Sequence, residues 1–562
     1  MSEAPPALLR ILVCGTVTTE PLESPLVAAL AARGHTATCR HAPFNQVYPT
    51  LFDGSAQDDV VVVLWRMEEL LAPALGAVLR DPAGAREWME GELGRLAEAA
   101  RAFVSRSAAT LILAMPPRPH VRPLGLIDPA HDGGIAALHA ECLVAWRRLA
   151  ASVPGLILLD LDGLQRDQGD RFVQDTRLLY LARVPWSHAF LQTVGARIAR
   201  LIAASRTPAR KVIALDCDNT LWGGVVGEDG PLGVDIGDDG VGAAFRAFQK
   251  YLLALREQGF LLVITSKNNE ADVWEVFEKN PGMALRRDDI TAARIGWGAK
   301  SASLREMADE LNLGLDSFVF IDDNPVECEE VRARAPGVAA LQLPEDPADF
   351  VTFLGESEAF DRLSLTDEDL VRARLYSEEK RREAVRASAG SMDEYLRGLG
   401  VRVTVEPVGE STLPRIAQLV NKTNQFNLTT IRRSEPEVRA LSRDERFRLF
   451  SVRVEDRFGA YGLTGAAFVE CVGSEWSIET FLLSCRVLSR GVEFAVMARL
   501  AARARAEGAS RLTARFVPSP KNAVAAPFLS AAGFSLQGEV HVADLSVVPL
   551  SAPEHVTLLP AE

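Results

Sequence analysis

Along the first two hundred residues, short unbroken apolar runs alternate with stretches whose apolar positions recur every three to four residues. The runs are RILVCG, DVVVVLW, ATLILAMPP and GLILLDLDGL. Unbroken runs of this length predict strands buried on both faces, and the periodic stretches between them predict helices covering a parallel sheet. SRTPAR at 205–210 reads as a linker, after which the pattern restarts. It predicts a strand over 211–215, a helix near 241–258, a strand over 260–265, a helix near 300–312 and a strand over 317–321, with Pro344 and Pro347 closing the unit. Residues 364–399 (TDEDLVRARLYSEEKRREAV and its flanks) read as helical and so highly charged that a connector is expected, not core. From 401 the pattern turns β-rich in VRVTVEPV, FRLFSVRVEDRFGAYGLTGAAFVE and WSIETFLLS, then gives a long helix, EFAVMARLAARARAEG, and a strand, RLTARFV. The expected organisation is a multidomain α/β protein divided at 1–205, 206–355, 356–400 and 401–562.

Composition narrows this. At roughly 100–200 residues per domain, 562 residues fit three domains and a helical connector. Lys and Arg total 61 against 75 Asp and Glu, and a net charge of −14 argues against nucleic acid or an anionic membrane as partner. The longest apolar runs fall far short of the ~20 residues of a membrane span. The start, MSEAPPALLRILVCG, lacks a basic region followed by a small-residue cleavage site, so no signal peptide is expected. Seven dispersed cysteines without a CxxC pair suit reduced thiols and a cytoplasmic protein better than disulfides or a zinc site.

The strongest chemical signal is VIALDCDNTLW at 212–222. A strand ending on Asp216 presents a carboxylate as nucleophile toward phosphorus, and Asp218, two residues on, can move the leaving group's proton. Carboxylates and phosphate together crowd negative charge, which calls for Mg²⁺ and a further cation. With Thr220, this D-x-D-x-T element resembles motif one of the haloacid dehalogenase (HAD) superfamily. FLLVITSKNN then places Ser266 at a strand end to hold phosphoryl oxygens, with Lys267 and Asn268 beside it on the substrate side. Lys300 in WGAKS opens a helix and supplies the cation. SFVFIDDNP ends a strand on Asp322 and Asp323, which join Asp216 and Asp218 as expected metal ligands. Any one of these is an ordinary turn or cap; four in register within 216–323 point to one site. Only 34 residues separate Ser266 from Lys300, too few for a large inserted cap, so the resemblance implies an uncapped, open HAD module.

In the C-terminal part, FLLSCRVLSRGVEFAVMARLA at 481–501 carries Cys485 at a strand end, then an Arg/Gly turn and a long helix. The turn resembles the phosphate-gripping loop of GNAT acyltransferases, R/Q-x-x-G-x-G/A, with Arg486 and Gly491 matching its ends and Ser489 replacing the middle Gly. Asn522 and the small-residue helix after RLTARFV also look like the GNAT end. Together DCDNTLWGGVVGEDG, TSKNNE, GLDSFVFIDDNPVE, KTNQFNLTT and SCRVLSRGVE resemble the FkbH-like proteins over about 205–540. That resemblance implies a Mg²⁺-dependent phosphatase coupled to glyceryl transfer. D-1,3-bisphosphoglycerate would lose its phosphates, and the glyceryl group would pass through a thioester on Cys485 to a phosphopantetheinylated acyl carrier protein, feeding a polyketide or hybrid peptide–polyketide pathway. Arg486, Arg490 and Gly491 are then expected at the pantetheine phosphate, and Asn424 in the glyceryl or pantetheine pocket. Physical chemistry supports the thiol: it lies just before an expected helix N-terminus and beside Arg486, both of which favour the thiolate. The other six cysteines are read as structural. Residues 411–530 hold 18 Lys or Arg and 11 Asp or Glu, a local +7 that suits an acidic carrier. Two alternatives stand beside this reading: an HAD phosphatase of a phosphorylated small molecule fused to a coenzyme A-dependent N-acyltransferase, and a non-catalytic carrier-protein scaffold.

In the N-terminal part, GTVTTEPL, APFNQVYP and DTRLLYLARVPWSHAF resemble a degenerate SGNH-hydrolase-like, flavodoxin-like fold. Thr16 and Thr18 stand where such enzymes place a serine, and Asp175 and His188 are 13 residues apart where the family has three. A catalytically silent domain is expected, covering the HAD site or docking a partner, with His188 structural or binding.

Overall fold

The computed structural model describes residues 8–53, 57–153, 155–207, 209–311, 313–365, 367–433, 435–519 and 521–560. They form two units, one of residues up to 252 with 263–285 and 292–366, the other of 253–262, 286–291 and those from 367 on.

The first unit opens on a parallel sheet of β1 (Leu9–Gly15), β2 (Ala37–His41), β3 (Val60–Leu64), β4 (Thr110–Met115) and β5 (Ile157–Asp160), in the order β2-β1-β3-β4-β5. This is the flavodoxin-like order. β3 (VVVVL) is buried at every position, as a central strand covered on both faces must be. The edge strand β2 (ATCRH) alternates intermediate and exposed residues, so no apolar run announces it. Trp65 and Trp146 meet edge to face at 6.2 Å in this core. The run GLILLDLDGL is only half strand. Asp160 ends β5 and caps the helix Leu161–Gln168 by accepting from Gly163 N–H at 2.8 Å.

The helix His188–Arg206 runs into the expected linker, whose far end is pinned: the Arg210 guanidinium donates to the carbonyls of Asp316, Phe318 and Gly337 at 2.8–3.0 Å. Arg200 also pairs with Asp361 at 2.5 Å and Arg33 with Glu358, which ties the 356–361 stretch down. A second parallel sheet follows, of β6 (Val212–Leu215), β7 (Leu261–Ser266), β8 (Ile290–Ile295), β9 (Phe318–Asp322) and β10 (Ala339–Gln342), in the order β10-β9-β6-β7-β8. The central β6, β7 and β9 are apolar and fully buried; the edges β8 and β10 are half-buried and were invisible to the apolar-run pattern. Between β6 and β7 the chain forms a bridge at Gly223–Asp235, one helical turn, Val226–Asp229, and the helix Gly240–Glu257. This is an uncapped HAD-type Rossmann-like sheet.

The second unit holds a mixed sheet of β11 (Val401–Pro407), β12 (Phe426–Asn427), β13 (Phe447–Asp456), β14 (Gly459–Val472), β15 (Glu475–Leu483), β16 (Arg511–Ala514), β17 (Ser535–Gln537), β18 (Val540–Asp544) and β19 (Val556–Leu558). Its order is β17-β18-β16-β15-β14-β13-β11-β19, with β12 on β15. β13, β14 and β15 form an antiparallel meander; β15 then runs parallel to β16, and the helix Val492–Ala506 makes the crossover, a GNAT-like α+β arrangement. The charged segment before it is not a mere connector. It folds as helices Asp367–Ser388 and Met392–Leu399, and Tyr395 and Leu399 join the core around Val401, Val403 and Val454. Arg382 is fully buried, bidentate on Asp456 at 2.7 and 3.0 Å and 4.2 Å over the Tyr461 ring. Pairing makes such a charge tolerable inside, so a charged pattern did not mean an exposed segment.

Candidate active site

β6 and β9 are hydrogen-bonded neighbours, and both end on an aspartate-bearing turn. Asp216 N–H donates to Ile321 O at 3.1 Å, which fixes the end of β6 against the last turn of β9. Carboxylate oxygens of Asp216, Asp322 and Asp323 accordingly gather within 4.8 Å of one another. Lys300 opens the helix Lys300–Leu311 and reaches into the cluster, its Nζ 3.0 Å from Asp216 Oδ1 and 2.5 Å from Asp322 Oδ2. All four residues were expected here.

The electrostatics are short of positive charge. Burial, then the Asp216 charge, pushes Asp322 up to about 7, against the pull of Lys300 and the Asn324 N–H. Burial and Asp216 raise Asp323 as well. At Lys300 burial works against the charge, yet Asp216 and Asp322 outweigh it and the pKa is raised. One ammonium faces three carboxylates. An all-oxygen cluster with a charge deficit fits a hard divalent cation of the Mg²⁺ type.

Asp218 departs from expectation. Its Oδ1 accepts from Trp222 Nε1 at 2.9 Å and Val226 N–H at 3.1 Å, and its Oδ2 from Asn268 Nδ2 at 3.1 Å. With both oxygens accepting from donors, the carboxylate lies outside the cluster of Asp216, Asp322 and Asp323, so the structure does not gather it with the other three expected metal ligands. Asn268 also donates to Ser266 Oγ at 3.1 Å, so it links the end of β7 to the turn after β6. Thr220 is buried with Oγ1 3.5 Å from Asp323 Oδ1. Lys267, expected toward substrate, is instead paired with Glu327 at 2.5 Å. Trp222, Asn324 and Glu327 were missed; the donors after Asp322 were implicit in IDDNP, where the Asn324 side chain caps the helix Pro325–Arg334.

In the second unit, Cys485 opens a short 3₁₀ turn, Cys485–Val487, and its side chain lies outside the described residues. The long helix begins only at Val492, so Cys485 does not directly precede its N-terminus, contrary to expectation. Arg486 is half-buried in the same turn. Arg490 is buried, stacks 4.9 Å over Tyr461, and accepts from His555 Nε2 at its carbonyl. Gly491 caps the helix at φ +77°, with Pro553 and His555 where a Cβ would point. Ser489 holds φ +60° in the slot where the GNAT pattern has Gly. Asn424 Oδ1 accepts from Arg432, and the buried Asn522 fastens the same segment through Asn427 O and Val517 O, both 2.9 Å.

Elsewhere, burial pushes the thiols of Cys14, Cys142 and Cys328 up to about 12, as suits packing residues. Asp175 caps the helix Thr176–Ala182 and His188 meets Gln192 at 3.3 Å, so these two form no dyad. Thr16 Oγ1 accepts from Arg66 N–H, and Thr18 Oγ1 donates to Ala182 O. No helix of the described residues is long and apolar enough to cross a membrane.

No family model matches the sequence, and no curated protein matches it. Among solved structures, the chain is similar to the N-terminal part of the protein BF1531 from Bacteroides fragilis, described as containing a phosphatase domain complexed with Mg. The two are 26% identical with a TM-score of 0.55, over 64% of this chain and 95% of that one. The ribosomal-protein-S18-alanine N-acetyltransferase from Escherichia coli is 14% identical, with a TM-score of 0.21 over 25% of this chain and 94% of that one. Spermidine N-acetyltransferase from Vibrio cholerae, solved with CoA and spermine, is 15% identical, with a TM-score of 0.22 over 26% and 98%. The C-terminal fold is defined by its own strand order instead.

Proposed function

We propose that the chain is a Mg²⁺-dependent HAD-type phosphatase coupled to acyl transfer, acting on D-1,3-bisphosphoglycerate and loading a glyceryl group onto an acyl carrier protein. The observation that carries the phosphatase half is the Asp216–Lys300–Asp322–Asp323 cluster. The likeness to a Mg-bound phosphatase domain supports it. Asp216, Asp322 and Asp323 would hold Mg²⁺, which supplies charge neutralisation for an incoming phosphate. In this reading Asp216 attacks phosphorus, forming a P–O bond as the bond to the leaving oxygen breaks. Asp218, oriented by Trp222, Val226 and Asn268, hands a proton to that oxygen and later takes one from the attacking water. Lys300 balances the developing phosphoaspartate charge, and the Ser266 hydroxyl holds a phosphoryl oxygen.

The transfer half rests on the resemblance of SCRVLSRGVE to the FkbH-like motif and on the GNAT-like sheet. The Cys485 thiolate would attack the acyl phosphate carbonyl, expel inorganic phosphate and keep the glyceryl group activated as a thioester for the carrier's thiol. The test is intact-protein mass spectrometry of the full chain after mixing with D-1,3-bisphosphoglycerate and Mg²⁺, with released phosphate measured in parallel. A glyceryl adduct together with phosphate release is expected. Phosphate release without any adduct would overturn the transfer half and favour a phosphatase fused to a coenzyme A-dependent N-acyltransferase; no phosphate release would overturn both halves.

A further inference from the structure

The first sheet has its own pocket, outside the phosphatase site. In a β2-β1-β3 order the connections leave β1 and β3 in opposite directions, and the crevice beyond their carboxyl ends is where parallel sheets bind ligands. A cavity of about 260 Å³ lies there. Thr16 and Val17 follow β1, Phe44 follows β2, Glu69 comes from the segment after β3, and the exposed Tyr180 and Arg183 form the rim on the far side.

Its polar groups are poised, not satisfied. Glu69 Oε1 accepts from Arg66 Nη1 at 3.3 Å, but Glu69 Oε2 is buried with no hydrogen-bond partner. Burial, reinforced by Glu68, raises this carboxyl to about 7 against the pull of Arg66 and, more weakly, of Arg183 across the pocket. Arg183 is exposed, its guanidinium lies 5.0 Å from the centre of the Phe44 ring, and it makes no ion pair among the described residues. Two left-handed residues shape the backbone here: Arg183 at φ +55° caps the helix Thr176–Ala182, and Asn45 at φ +58° sits in the turn after β2. Thr18 N–H to Arg183 O and Asn45 N–H to Gly15 O, each 3.1 Å, lock them to the β1 turn.

We infer that the N-terminal sheet carries a binding site for a small hydroxy- or amino-carboxylic acid, whose carboxylate pairs with Arg183 and whose hydroxyl or ammonium donates to Glu69 Oε2. The volume sits just below the ~300 Å³ where drug-sized pockets begin, which limits the occupant to a small acid. Binding alone is inferred: Asp175 and His188 form no dyad beside the pocket, and the Thr16 hydroxyl accepts from Arg66 N–H.

The test is calorimetric titration of the full chain with D-glycerate and L-serine, with propionate and glycerol as controls lacking one group each. D-Glycerate or L-serine is expected to bind at least about tenfold more tightly than either control, the range of one charge-assisted hydrogen bond. Arg183→Ala and Glu69→Ala should each weaken that binding about tenfold or more. Arg183→Ala should leave melting unchanged, Glu69→Ala gives up one of the two carboxylate contacts of the buried Arg66 and should melt somewhat lower, and both should keep hydrolysis of p-nitrophenyl phosphate. Equal binding of the controls, binding unaltered in both variants, or no binding of either acid would overturn the inference. A phosphatase assay that fails while this binding persists bears on the proposed function alone.

Discussion

Lys300 Nζ stands 3.0 Å from Asp216 Oδ1, buried between that carboxylate and Asp322. Removing one partner of a buried pair leaves the other charge uncompensated, typically at about 3–5 kcal/mol. Lys300→Gln should therefore melt well below the wild type at pH 8 in chelator. The deficit should shrink when Mg²⁺ is added, because a cation again faces the carboxylates. Phosphatase turnover should fall by about 10²–10³, the scale of losing one preorganised charge at the transition state. Equal melting with and without Mg²⁺ would count against this placement of charge.

The pH dependence of metal binding follows from Asp322, raised to about 7 in the folded chain against an ordinary 3.8. Between those values the metal-free folded state holds a proton that the unfolded state has released. This group's contribution to metal-free stability thus falls as pH rises from about 4 to about 7 and is level above. Mg²⁺ needs the carboxylate, so its affinity should rise up to tenfold per pH unit toward 7 and then plateau. Calorimetric titration with MgCl₂ at a series of pH values checks this; a flat profile from pH 5 to 8 would remove Asp322 from the ligand set.

Asp216 and Asp218 should separate cleanly on substitution. Asp216→Asn should abolish phosphate release while the chain stays folded, since it removes the proposed nucleophile. Asp218→Asn keeps a side chain of the same shape but alters the group proposed to move the proton, so phosphoenzyme should accumulate in rapid-quench samples. Turnover unchanged in Asp218→Asn would reduce Asp218 to a brace for Trp222 and Val226.

Much of this was legible in the residues because two strand ends carry both signals at once. VIAL and FVFI are unbroken apolar runs, which predict central strands, and each delivers an aspartate where the run stops. What the pattern hid has physical causes. The edge strands β2, β8 and β10 are only partly buried and need no apolar run. Arg382 enters the core by pairing with Asp456, 74 residues away, which local periodicity does not register. Asp218 and Lys267 sit in the motifs that nominated them, yet their contacts to Asn268 and Glu327 depend on how β6, β7 and the helix after β9 converge.

The turn before the helix Val492–Ala506 makes a prediction of opposite signs. Gly491→Ala puts a Cβ 2.9 Å from Pro553 Cγ and 3.0 Å from His555 Nε2 at φ +77°, so a loss of about 2 kcal/mol or more is expected. Ser489→Gly relieves a side chain held at φ +60°, which should offset the extra unfolded-state freedom and leave stability equal or up to ~1 kcal/mol higher. Denaturant melts of the two variants check the pair; a destabilised Ser489→Gly would show that the serine side chain, not its backbone, matters there.

Cys485 decides between the two enzyme readings. If its thiol carries the acyl group, D-1,3-bisphosphoglycerate should add a glyceryl mass that hydroxylamine removes, because a thioester yields to a strong nucleophile. Cys485→Ser should lose that adduct and all loading of a phosphopantetheinylated carrier protein. It should keep hydrolysis of p-nitrophenyl phosphate, since Asp216 and Cys485 belong to different units of the chain. A direct transfer from coenzyme A to an amine needs no enzyme-bound acyl group, so under that reading the Ser variant would transfer as well as the wild type. Carrier loading undiminished in Cys485→Ser would exclude the covalent route. Loading lost while phosphatase activity persists would place two successive chemistries on one chain: dephosphorylation at the end of β6 and β9, and thioester transfer at the turn after β15.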